Sequence, residues 1–69
     1  MSKLKEYRKR IRLSQAEVGN IIGVRQQTIC NWENGISEPT ISQGLQLSRI
    51  YKVGITKLFP YLEKSSPVT

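Results

Sequence analysis

Gln26, Gln27, Cys30 and Asn31 fall on one side of a short helical repeat whose other side carries Ile29 and Trp32, so the open face is rich in carboxamides. A carboxamide donates and accepts in one plane, which suits bidentate hydrogen bonding to a base edge in a duplex major groove, adenine above all. Solubility alone would be served by the more usual Lys and Glu. Covalent chemistry has little to work with: the chain holds no His and no Asp, and Cys30 is its one cysteine. A nucleophilic thiol wants a neighbouring base, and none lies near Cys30 in sequence. Disulfides and metal clusters need ligands that this chain lacks. The expectation is recognition rather than catalysis, without cofactor, metal or small-molecule ligand.

Charge is the second chemical resource. Lys3, Lys5, Arg8, Lys9, Arg10 and Arg12 lie in the first twelve residues against Glu6, while the rest of the chain is nearly balanced within a net charge of +6. Such a cluster favours a polyanionic partner, because each cation set against a phosphate releases condensed counterion. Composition alone leaves DNA, RNA and an anionic membrane surface open. With 69 residues, 38% of them apolar, there is room for one domain and one small core. The longest apolar run is far short of a membrane span, and no signal-type stretch follows the basic N-terminus. A soluble, cytoplasmic protein is expected.

The elements that must position these groups follow from local pattern. Leu4, Tyr7 and Ile11 recur at helical spacing, which predicts a first helix over about Ser2–Arg10, with Ile11 and Leu13 turned inward after it. Ser14 and Glu17 form a capping-box pattern that opens a second helix, whose apolar face is Val18, Ile21 and Ile22. Gly23 then permits a tight turn into a third helix, which ends at Asn34-Gly35. Pro39-Thr40 with Gln43 opens a fourth helix carrying Ile41, Leu45, Leu47 and Tyr51. Gly44 weakens that helix, so another group, with Trp32 a candidate, is expected to come close there. Val53, Ile55, Leu58 and Phe59 predict a short fifth helix that closes the core.

Two short helices joined at a glycine, the second with an amide-rich open face, have the form of a helix-turn-helix over about 15–34. The segment LSQAEVGNIIGVRQQTICNWENG, Leu13 to Gly35, resembles the Cro/CI-type (XRE-like) helix-turn-helix of phage repressors and small bacterial regulators. The likeness extends to the basic first helix, to EP-T before the fourth helix and to VGITKLF, which closes the domain. It implies an all-α fold, a compact five-helix Cro/CI (lambda-repressor-like) DNA-binding domain over 1–62, followed by a short flexible tail over 63–69. It further implies that Gln15, Asn34 and Gly35 hold DNA phosphates, setting register rather than sequence. Arg25, Gln26, Gln27 and Asn31 match the base-reading positions. Thr28 contacts phosphate or packs against the domain, and Arg10 joins the phosphate set. Arg8 and Glu33 match a structural ion pair of the family. Family dimers pair around the last helix, which makes Thr56, Lys57, Phe59, Pro60 and Tyr61 dimer candidates, with Phe59 equally a candidate for the core.

This chain departs from the family pattern at several positions. Arg25 stands where a Ser or Thr cap is common, Gly19 where a small Ala is common, and Lys52 where a glycine usually ends the fourth helix. Ile36 and Glu38 occupy a loop that often carries cations, which weakens a loop–phosphate contact there and permits a subunit contact. The resemblance implies a sequence-specific double-stranded DNA-binding transcriptional regulator, a repressor that binds a pseudo-palindromic operator as a homodimer, formed in solution or only on DNA. The other reading is an antitoxin-like, partner-binding module that uses DNA binding for autoregulation. RNA binding would call for exposed stacking aromatics, whereas Tyr7, Trp32 and Phe59 fall on predicted core positions.

Overall fold

A computed structural model describes residues 3–59; Pro60, Tyr61 and the expected tail lie outside the described residues. Among the described residues the chain forms five helices and no strand: α1 Leu4–Arg10, α2 Gln15–Ile22, α3 Gln26–Glu33, α4 Ile41–Tyr51 and α5 Ile55–Leu58. No helix among them is long and apolar enough to cross a membrane.

Both expected capping boxes set helix starts. Ser14 Oγ accepts from the Glu17 amide at 3.0 Å, and the Glu17 carboxylate accepts from the Ser14 amide at 2.8 Å. Thr40 and Gln43 repeat the arrangement at the head of α4. Each box satisfies two amide donors that the first turn of a helix leaves unpaired. Arg25 occupies the N-cap of α3 without a side-chain cap bond, as its cationic side chain dictates.

Gly23 ends α2 in the left-handed region (φ 93°), and its amide and that of Val24 both donate to the Gly19 carbonyl. This turn brings α3 against α2. Gly19 is therefore more than a substitute for alanine: a Cβ there would stand 2.7 Å from the Val24 carbonyl oxygen, closer than side chains tolerate.

Leu4, Val18, Ile29, Trp32, Leu47, Tyr51, Leu58 and Phe59 form one buried cluster to which every helix or its flank contributes. The Lys3 amide donates to the Leu58 carbonyl, tying the start of α1 to α5. Three assignments of the apolar pattern are corrected. Ile21, Ile41 and Leu45 are 58, 72 and 45% exposed, because α2 and α4 bury narrower stripes, carried by Val18 in α2 and by Gly44, Leu47 and Tyr51 in α4. Gly44 meets Phe59 and Ile55 rather than Trp32: a Cβ there would lie 3.3 Å from the Phe59 ring. Phe59 is accordingly part of the core, 3% exposed.

Lys52, at the C-cap of α4, takes the left-handed conformation a glycine would favour (φ 58°), and Arg12 does the same between α1 and α2 (φ 59°). Each non-glycine residue there carries a steric cost of roughly 1–2 kcal/mol.

Candidate nucleic-acid interface

The site is built outward from a buried charge. Arg8 projects from α1 and donates through Nε to Glu33 Oε2 at 2.6 Å and through Nη2 to Glu33 Oε1 at 3.2 Å. Its remaining arm, Nη1, donates to the Leu13 carbonyl at 2.8 Å. The Glu33 side chain is 2% exposed, so these bonds offset most of what desolvating its carboxylate costs. The hydrogen bond to Glu33 makes Arg8 hold its proton more tightly than an isolated guanidinium, against the opposing effect of burial.

Glu33 Oε1 also accepts from Gln15 Nε2 at 3.0 Å. Gln15 Oε1 in turn faces Gln26 Nε2 across a long 3.4 Å contact. A chain of polar contacts thus runs from α1, through the end of α3, to the first residue of α2 and back to the first residue of α3. Sequence reasoning named Arg8, Glu33, Gln15 and Gln26 but not the links from Gln15 to Glu33 and Gln26. No local spacing signals them, since the partners are 18 and 11 residues apart.

One turn along α3, Gln27 Nε2 donates to Asn31 Oδ1 at 3.0 Å. Arg25, Gln26 and Gln27 are exposed, whereas Asn31 and Thr28 are partly buried. Asn34 and Gly35 lie exposed just past α3, and Asn34 Nδ2 donates to Cys30 Sγ at 3.3 Å. On α1, the Arg10 guanidinium sits 5.0 Å from the centre of the Tyr7 ring, a cation–π contact that holds it near the helix surface. Thr56 and Lys57 are exposed on α5. No group of three or more metal-ligating side chains occurs among the described residues.

Behind this face lies one buried polar atom without a partner among the described residues, the Tyr51 hydroxyl. Burial, and next the negative charge of Glu33, push its pKa up to about 12, against a smaller lowering by Arg8.

Two short helices packed at a left-handed glycine, with an amide-bearing face on the second, match the helix-turn-helix family model over residues 4–58. The chain belongs to the helix-turn-helix family. Its resemblance to the XRE-like branch therefore holds over nearly every described residue. An uncharacterized HTH-type transcriptional regulator of Archaeoglobus fulgidus is 27% identical over 63 residues, covering 91% of this chain and 89% of that protein. Family membership makes double-stranded DNA the macromolecule this helix-turn-helix binds and transcriptional regulation its class of function. In a helix-turn-helix the second helix of the motif is the one that enters the major groove, and α3 is the second helix of this motif.

Proposed function

We propose that the protein is a sequence-specific repressor that binds a pseudo-palindromic operator as a homodimer, its two α3 helices in successive major grooves about 34 Å apart. The observation that carries this reading is the shared carboxylate of Glu33, which fixes Gln15 at the head of α2 and, through it, orients Gln26 at the head of α3. Arg25, Gln26, Gln27 and Asn31 read base edges. Gln15, Asn34 and Gly35 hold phosphates, with Thr28 and Arg10 at the edges of that set. Gln15 Nε2 keeps one hydrogen beyond its bond to Glu33, which suits a phosphate oxygen.

Dimerisation is supported by apolar surface on the side of α4 and α5. Ile36, Ile41 and Leu45 are exposed, and Ile41 lines a depression of about 220 Å³ together with Pro39, Gly44, Ile55 and Phe59, with Glu38 and Thr40 at its polar edge. Thr56 and Lys57 on α5 complete the proposed contact, together with Pro60 and Tyr61 from outside the described residues. Occupancy of the operator would then exclude polymerase.

Selection of duplexes from a random library by the purified protein tests the reading. A motif with two-fold-related halves, bound by two copies, is the expected result. Failure to enrich any motif, with affinity set by salt alone, would contradict it. The same aliphatic patch favours a second reading, an antitoxin-like module whose partner covers it. A single half-site bound by one copy would point that way.

A further inference from the structure

We infer that Gln27 and Asn31 act as one bonded unit that reads a single adenine, instead of each reading a base of its own. The inference rests on the assignment of α3 as the base-reading helix. It starts from the 3.0 Å bond between the two amides, which sit one turn apart on α3.

A primary carboxamide carries its oxygen and nitrogen on opposite arms. Once the nitrogen of Gln27 is turned to Asn31 and the oxygen of Asn31 is turned back to meet it, the outward arms are Gln27 Oε1 and Asn31 Nδ2. The pair therefore presents one acceptor and one donor side by side. Exchanging oxygen and nitrogen in both residues keeps their mutual bond and still leaves one acceptor and one donor outward, so the pattern does not depend on that assignment.

Adenine is the base that shows a donor, N6, beside an acceptor, N7, on its own major-groove edge. Guanine shows two acceptors there and would set one of them against the outward carbonyl. Thymine offers an acceptor beside a methyl group, and cytosine a lone donor. The bonded pair is therefore complementary to adenine without rearrangement, whereas two separate readings would first break the bond that holds both side chains in place. Neighbouring polar groups are directed elsewhere: Gln26 toward Gln15 on α2, and Asn34 toward Cys30. Two rotamer-rich side chains are thus ordered before DNA arrives, which lowers the entropy lost on binding.

The test uses the duplex that the full chain selects, titrated at fixed salt with the parent, Gln27→Ala, Asn31→Ala and the double variant, each of the four bases being placed in turn at every position. Melting curves first establish that the variants fold, as expected for side chains outside the core. Both single variants should lose discrimination at the same A·T pair, by about tenfold or more. The double variant should bind within about threefold of the weaker single one. Replacing that adenine by 7-deazaadenine, which lacks N7, should weaken the parent but not the double variant. Relaxation at two different base pairs, losses that multiply in the double variant, or a parent indifferent to 7-deazaadenine would overturn the inference while leaving the regulator reading intact. A parent that enriches no motif would overturn both.

Discussion

Gln15 and Glu33, eighteen residues apart, are joined by a 3.0 Å hydrogen bond from Nε2 to Oε1, and the same oxygen accepts from Arg8. The carboxylate that buries the charge of α1 is therefore also the anchor of the first residue of α2. Stability and the proposed DNA contact share one atom, and substitutions around it separate the two roles.

Arg8→Met should lower the unfolding free energy by about 3–5 kcal/mol, because it strands a carboxylate that is almost fully buried. Combining it with Glu33→Met should recover most of that loss, since a well-packed apolar pair replaces the buried ions. DNA affinity should not recover with it, because Gln15 has lost its anchor. Urea denaturation and duplex titration of the same two proteins check both halves; a single variant that costs under about 1 kcal/mol would contradict a buried pair.

Gly19→Ala is expected to destabilise the fold although alanine is the better helix former by about 1 kcal/mol. The added Cβ meets a backbone oxygen at 2.7 Å, and the turn from α2 to α3 must open to admit it. A net loss of about 1–3 kcal/mol is anticipated. A higher melting temperature in this variant would mean that the turn is looser than described.

Lys52→Gly should act in the opposite sense. Relief of the left-handed backbone, φ 58°, exceeds the entropy glycine loses on folding, for a net gain of up to about 1 kcal/mol. The side chain is exposed, so no core packing is given up. Thermal melts should show a rise of a few degrees.

Tyr51 makes stability fall at high pH. Its hydroxyl is held protonated to about 12 in the folded chain, above the ordinary value of 10, so the folded state binds more protons than the unfolded one in between. The contribution is complete below pH 10 and is lost as pH rises toward 12. Tyr51→Phe should remove this component while leaving stability near neutral pH unchanged or raised, because the deleted hydroxyl has no partner among the described residues. Melting temperatures of the two proteins between pH 8 and pH 11.5 measure the difference.

Local chemistry made much of the fold legible. Ser14 with Glu17, Thr40 with Gln43, and Gly23 each specify a helix end by bonds or backbone freedom spanning only a few residues, and all three ends lie where the sequence puts them. Apolar periodicity was less informative. It cannot say how wide a stripe a small core covers, which is why Ile21, Ile41 and Leu45 read as inward yet stand exposed. The neighbour of Gly44 was misplaced for a related reason: contact with Phe59 depends on how α5 returns across α4, a tertiary fact with no local signature. At the site, residue types and family pattern pointed to Arg8, Glu33 and the amides of α3. The links from Gln15 to Glu33 and from Gln27 to Asn31 depend on side-chain placement that no spacing rule supplies.

The central claim is that α3 reads sequence and does not merely meet a polyanion. Its most direct test is the ratio of the affinities of the purified protein for its selected duplex and for a scrambled duplex of equal length, at the same near-physiological salt, with Gln26→Ala measured alongside. A ratio of about a thousandfold or more, reduced in the variant chiefly through weaker binding to the selected duplex, is predicted. Equal affinity for the two duplexes, with the variant unaffected, would contradict it.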